Sequence, residues 1–226
     1  MIRLKGVSKV FSNGLKALDT IELTIQKNEF VYLVGPSGAG KSTLLNLIFR
    51  ADVPSTGDII IDHFSLNNIR KSQVPYLRRS IGVVFQDFKL LPKRTVFENV
   101  AFALQFFNYS RARIRRQVTQ VLELVGLEEK MRQLSSELSG GEQQRICIAR
   151  AIVNNPPILL ADEPTGNLDQ DTSWDIMRLL SKINSRNTTV VVATHNEGIV
   201  NSIRKRVIAL DNGQMIRDQE LGVYTP

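Results

Sequence analysis

One octapeptide and its flanks restrict this chain more than any other feature. Gly35-Pro36-Ser37-Gly38-Ala39-Gly40-Lys41-Ser42 fills every required position of G-x-x-x-x-G-K-[ST]. Phe30-Val31-Tyr32-Leu33-Val34 before it is apolar, β-branched and aromatic, the pattern of a buried strand. Thr43 to Phe49 after it reads as a helix with apolar residues on most sides. A strand, a glycine loop and a helix in that order predict an α/β core with a phosphate-binding loop. Backbone N–H groups, bare at Gly38 and Gly40, can wrap a phosphate chain at the positive end of the helix. Lys41 would reach the β- and γ-phosphates, and the Ser42 hydroxyl would bind Mg²⁺. Gly35, Ser37 and Thr43 join the candidate nucleotide-binding set. A flexible glycine turn that happens to precede Lys-Ser would leave the flanking strand and helix unexplained.

A second apolar strand, Pro157 to Ala161, ends abruptly in Asp162-Glu163-Pro164. Ligands of open α/β sheets bind at the carboxyl ends of strands, which brings both acids to the phosphates. Asp162 would hold Mg²⁺. Glu163, on the opposite face of an extended backbone, could polarise the attacking water. Alone, the two acids could equally form a surface turn before Pro164; beside the glycine loop the catalytic reading is preferred. A third strand, Thr189 to Thr194, ends at His195, one of only two histidines. That position makes His195 a candidate γ-phosphate contact, whereas His63, in a turn-like stretch beside Asp62, receives no role.

About a hundred residues beyond the first glycine loop lies Leu138-Ser139-Gly140-Gly141-Glu142-Gln143. Ser-x-x-Glu is a capping box, and Gln143 to Val153 continues as a helix that stops near Asn154-Asn155-Pro156. Capping explains the Ser and the Glu but not Gly140 and Gly141, since glycine in a first turn carries an entropic cost. Bare backbone at a helix N-terminus suits a docking phosphate. Phosphate binding and capping are therefore both assigned to this turn. One nucleotide needs one cradle per subunit, so a second cradle suggests a nucleotide shared between two copies.

Taken in order, these motifs resemble those of ATP-binding subunits of ABC (ATP-binding cassette) systems, across essentially all 226 residues. The resemblance implies a P-loop NTPase fold: a RecA-like core with an N-terminal antiparallel β-subdomain and an inserted helical subdomain. Gly35 to Ser42 resembles the Walker A motif, Leu138 to Gln143 the ABC signature, and Ile158 to Asp162 with Glu163 the Walker B strand and its catalytic glutamate. Gln86, after Ile81-Gly82-Val83-Val84-Phe85, matches the Q-loop glutamine that senses Mg²⁺ and the attacking water. Asn167-Leu168-Asp169 resembles the D-loop, which adds Asp169 to the nucleotide-contacting set, and His195 resembles the switch histidine. Phe11 takes the place of the aromatic that stacks on adenine, although an early aromatic is as often core.

Leu77-Arg78-Arg79, Gly82 to Leu91 and Thr95 to Ala101 resemble more narrowly the cell-division branch of the family. Asp162 to Asp169 is shared with lipoprotein- and macrolide-exporting branches, which are the nearest alternative. The cell-division resemblance implies an integral membrane partner, control of cell-wall hydrolases, and a peripheral place on the cytoplasmic side of the membrane. Two departures stand out. Asn28 occupies a position where glycine is common, a substitution that a tight turn tolerates because Asn accepts φ > 0. Asn196 follows the histidine where Asp is usual.

The length suits one globular unit, with residues 88–153 as a helical lobe inserted between 1–87 and 154–226. Residues 58–85 read as strands; within 88–153, Glu98 to Phe107 and Arg115 to Val125 are the clearest helices. A hydrophobic content of 42% supports a core, and no apolar run approaches the roughly eighteen residues of a membrane span. The N-terminus has no long apolar stretch of the secretory type. The single Cys147, in an apolar helical stretch, predicts a buried, inert thiol. The formal charge of +7 fits an anionic membrane surface, a nucleic acid or a solvated basic face, and charge alone does not choose.

Between Phe88 and Phe107 the chain is rich in apolar residues; most would be core, and a few near Gln86 would form a groove for a membrane partner's helix. Phe88, Leu90 and Leu91 are the candidate docking residues. The resulting expectation is a head-to-tail homodimer with two ATP buried between the copies. Lys41, Ser42, Gln86, Asp162, Glu163 and His195 would act from one chain, and Ser139 and Gly141 from the other. A soluble ATPase of this type acting on nucleic acid is the alternative of another class. It is disfavoured because the chain has neither a long coiled-coil insertion, nor a second cassette, nor an RNA-reading aromatic motif.

Overall fold

A computed structural model describes residues 1–224. It begins with β1 (Ile2–Val10), β2 (Lys16–Ile25), β3 (Phe30–Val34), α1 (Lys41–Ile48), β4 (Thr56–Ile61) and β5 (Phe64–Ser65). Next come α2 (Val74–Arg79), β6 (Ile81–Val84), α3 (Val96–Phe102), α4 (Arg111–Val125) and α5 (Gly140–Ile152). The chain continues with β7 (Ile158–Asp162), α6 (Gln170–Asn184), β8 (Thr189–Ala193), α7 (Glu197–Ser202), β9 (Arg206–Asp211) and β10 (Gln214–Gln219).

β3 is buried along its whole length, and its two faces define the layers. Phe30, Tyr32 and Val34 pack with α3 to α7, while Val31 and Leu33 pack with α1 and the first strands. β7 and β8 divide the same way, Leu159 and Val192 to one side and Leu160 and Val191 to the other. Strands apolar on both faces are what a sheet covered on both sides requires. That sheet has six strands in the order β10-β9-β3-β8-β7-β6, parallel except for the β9–β10 hairpin. A separate four-stranded antiparallel sheet, β2-β1-β4-β5, lies on the α1 side.

Two details differ from the sequence expectation. The helix expected to reach Phe107 ends at Phe102. From Ala103 the hydrogen bonds tighten to i→i−3, which turns Leu104 fully inward and leaves Phe106 69% exposed. The stretch 58–85 also contains α2, whose Pro75 sits in the first turn, where the missing N–H costs nothing. Phe88 and Leu90 are half-buried against the helical core, and Leu91 is the exposed member of that trio.

Asn28 does adopt the left-handed conformation, with φ 65°. Its N–H donates to Thr189 Oγ1 at 2.9 Å, and its carbonyl accepts from Asn184 Nδ2 at 2.9 Å.

Cys147 is fully buried on α5, and burial pushes its thiol up to about 12. The native chain should therefore resist iodoacetamide at pH 8 and label completely in denaturant. Rapid alkylation of the folded chain, followed by mass spectrometry, would contradict that environment.

Candidate active site

The carboxyl ends of β3, β8, β7 and β6 lie side by side, and each delivers one motif. β3 runs into the glycine loop, β7 into Asp162-Glu163, β8 into Thr194-His195, and β6 into Phe85-Gln86. Phe11, Ser37, Gly38, Gly40, Lys41, Ser42, Thr43, Gln86, Glu163 and His195, ten of the residues singled out from sequence, line one cleft of about 460 Å³.

Gly40 caps α1 with φ 104°, and a Cβ there would stand 2.6 Å from the Ala17 carbonyl oxygen. Only glycine permits both that conformation and that approach to β2. Lys41 is nearly buried, and its ammonium donates to the carbonyls of Gly35 at 2.7 Å and Pro36 at 3.1 Å. The lysine thus braces the loop, four of whose residues, Ser37, Gly38, Gly40 and Lys41 itself, line the cleft. Phe11 is 37% exposed at the rim, and the Lys9 ammonium lies 5.2 Å from its ring centre.

Ser42 Oγ donates to Asp162 Oδ1 at 3.0 Å. Burial raises the Asp162 carboxyl above its ordinary value, reinforced by the charge of Glu163 and opposed by the Ser42 hydrogen bond and the charge of Lys41. The Ser42 hydroxyl and the Asp162 carboxylate are adjacent hard oxygens that fit Mg²⁺, which needs few protein ligands when phosphates and water supply the rest.

Glu163 does not continue the extended backbone expected of it. Its φ is 47°, a left-handed turn unusual for this residue type, held by its N–H donating to the Ala193 carbonyl at 2.9 Å. The turn directs the carboxylate to His195. Nδ1 of His195 lies 2.9 Å from Glu163 Oε1, and the His195 N–H donates to Oε2 at 3.4 Å. Backbone strain of this kind persists where surrounding structure enforces it. The Asn196 side chain instead caps α7, accepting from the Ile199 N–H at 3.1 Å, so the support for His195 comes from Glu163.

Ser139, Gly140, Gly141 and Asp169 do not line the cleft. Ser139 caps α5, with Glu142 Oε2 accepting from its N–H at 3.0 Å, and Glu142 is paired with Lys130. Gly141 has a further reason to be glycine that the sequence did not disclose. A Cβ there would stand 2.4 Å from the γ-methyl of Thr172, on α6. Asp169 caps α6 through the Thr172 N–H at 2.9 Å and accepts from its hydroxyl at 2.6 Å, which holds the Asp169 carboxyl below its ordinary value. The glycine tip of α5 therefore rests on the turn that starts α6.

Comparison with known proteins identifies the family. Residues 18–166 match the family described as ABC transporter. The chain is 57% identical to the cell division ATP-binding protein FtsE of Bacillus subtilis (strain 168), over 99% of this chain and 98% of the relative. It is 54% identical to FtsE of Streptococcus pneumoniae serotype 2, over 99% and 97% respectively. A solved dimer of the ATP-binding cassette MJ0796, in a post-hydrolysis state bound to ADP and Pi, superposes with a TM-score of 0.89. That cassette is 39% identical, and the match covers 98% of this chain and 99% of that one. The chain belongs to the ABC transporter family. Its fold is that of the family's ATP-binding cassettes, and it is an ATPase.

Gly141→Ala separates the packing role from any role in phosphate binding. The added methyl should cost about 1–3 kcal/mol through its clash with Thr172. Thr172→Ser removes the γ-methyl and keeps the hydroxyl, so in that background the stability loss should shrink while any loss of ATP turnover from Gly141→Ala remains. Equal losses of stability in both backgrounds, measured by urea unfolding, would exclude Thr172 as the partner of the clash.

Proposed function

We propose that this chain is the ATP-hydrolysing subunit of a membrane complex of the FtsE type, working as a homodimer with two ATP between the copies. One observation carries the reading: the second glycine-lined helix tip, Ser139 to Gly141, stands apart from the cleft that collects Lys41, Ser42, Gln86, Glu163 and His195. A tip suited to phosphate but outside its own chain's phosphate cleft is suited to that of a second copy. The dimeric state of the MJ0796 cassette and the 52–57% identity to several FtsE proteins support the same conclusion.

In this reading the loop from Gly35 to Thr43 binds the phosphates and Phe11 stacks on adenine. Ser42, Asp162 and Gln86 hold Mg²⁺, which when bound neutralises phosphate charge. Glu163 accepts a proton from the attacking water, and His195, 2.9 Å away, orients that carboxylate and reaches the γ-phosphate. Ser139, Gly140, Gly141 and Asp169 complete the second copy's site. Residues 88–153 serve as the helical subdomain within a core of 1–87 and 154–226. Closure requires the γ-phosphate and hydrolysis releases it, so the chemistry becomes movement in an attached protein.

That attached protein is an FtsX-like integral membrane partner, and the complex regulates peptidoglycan hydrolases in cell division. The chain sits at the cytoplasmic face of the membrane through this partner; among the described residues no helix is long and apolar enough to cross a membrane. The docking surface lies where Gln86 borders a second cleft, lined by Phe88, Leu90 and Asn167, with Leu91 exposed beside it.

Glu163→Gln should keep ATP binding and cut turnover by roughly a hundredfold or more, the scale of a lost general base. Size-exclusion chromatography with ATP and Mg²⁺ should then show a trapped dimer. An undimerised chain that hydrolyses ATP at full speed, indifferent to substitution of Ser139, would overturn the two-copy reading. Polar replacements at Leu90 and Leu91 should abolish recruitment to membranes containing the partner while leaving nucleotide binding unchanged; unaltered recruitment would exclude this docking surface.

A further inference from the structure

Arg150, near the end of α5, has no part in the chemistry above, and its setting is unusual for a charge. The side chain is half-buried, and among the described residues no acidic group contributes to its environment. Burial lowers the guanidinium below its ordinary value. Its partners are main-chain carbonyls: Nη1 donates to Lys89 O at 2.6 Å and Nη2 to Phe88 O at 2.8 Å. Cys147, three residues earlier on the same face of α5, directs Sγ to the same Phe88 carbonyl at 3.0 Å.

Phe88 and Lys89 follow Gln86 by two and three residues, in a segment with no regular structure. Downstream, fully buried Asn99 of α3 ties that segment down, donating from Nδ2 to the carbonyls of Leu91, Arg94 and Thr95 at 3.0–3.2 Å. Its Oδ1 accepts from the Leu91 N–H at 2.8 Å. Of the side chains that grip the stretch just after Gln86, Arg150 and Cys147 belong to α5, whose other end is the Ser139–Gly141 tip. A charge withdrawn from water to bind two consecutive carbonyls suits a fixed geometry better than added stability, because neutral packing of the same volume would avoid the desolvation cost.

We propose that Arg150 is a positioning residue that holds Phe88 and Lys89 against α5 and so fixes where Gln86, two residues earlier, stands beside its own chain's cleft. The effect on turnover rests on the role given to Gln86 above, whereas the grip itself is a property of one chain.

A double-mutant cycle on the full chain tests it, using Arg150→Met, which keeps side-chain length but removes the donors, and Gln86→Ala. Arg150→Met alone should lower kcat by on the order of tenfold to a hundredfold, the scale of a misplaced catalytic group. KM for ATP should change less than about twofold, because the phosphate loop is untouched. In the Gln86→Ala background the same substitution should cost less than about twofold more, since groups acting as a unit are non-additive. Losses that multiply, or a raised KM at constant kcat, would overturn the assignment. If Arg150→Met fails to fold, Arg150→Lys, which keeps the charge but not the paired donors, carries the same cycle with the same criteria. Failure of Glu163→Gln to trap a dimer, alongside a non-additive cycle, would remove the two-copy reading and leave the role of Arg150 standing.

Discussion

The level at which β3, β8, β7 and β6 end relative to one another is the constraint on which the site depends. Strands apolar on one face resist slipping, because a shift of one residue turns their core side chains outward. These strands are apolar on both faces, so patterning cannot hold their register. Three bonds at their ends mark it: Thr194 N–H to the Leu33 carbonyl at 3.1 Å, Glu163 N–H to the Ala193 carbonyl at 2.9 Å, and Thr189 N–H to the Pro157 carbonyl at 2.9 Å. A slip would exchange these partners and carry Glu163 away from His195, so the chemistry depends on the register.

Within that frame most of the chemically useful groups hold one another. Lys41 braces its own loop, Ser42 is bonded to Asp162, and Glu163 is paired with His195. Such pairing sets the direction of each side chain before a phosphate meets it, which limits reorganisation during the reaction. It also bears on how Asp162 can be partly withdrawn from water: the Ser42 hydrogen bond and the charge of Lys41 offset part of the cost of burial.

How much of this was legible in the sequence follows from how local each signal is. The phosphate loop, the Ser139–Glu142 capping box and the turn at Asn28 are each set by residues adjacent in the chain, and each could be read directly. Asp162, Glu163 and His195 were legible as strand endings, but the left-handed turn at Glu163 was not, because Ala193 of a neighbouring strand imposes it. The helix expected through Phe107 illustrates the opposite error: a stretch rich in apolar residues conceals that Leu104 turns inward while Phe106 stays in water. The grip of Arg150 on Phe88 and Lys89 spans some sixty residues, and no local pattern could announce it.

The tip of α5 shows how several demands can fall on the same residues without conflict. Ser139 and Glu142 satisfy the helix end, and Gly141 admits the γ-methyl of Thr172. Thr172 is in turn fixed by Asp169, only six residues beyond Glu163 along the chain. The intervening residues are not slack, since the Gly166 N–H donates to the Glu163 carbonyl at 3.1 Å and the Leu168 N–H to the Thr165 carbonyl at 3.2 Å. A displacement at the end of β7 thus has a short, hydrogen-bonded route to the start of α6, and from there a steric one to Gly141. Substituting a larger residue at Gly141 would close off that contact as well as cover the backbone, so two separate physical reasons keep the same position bare.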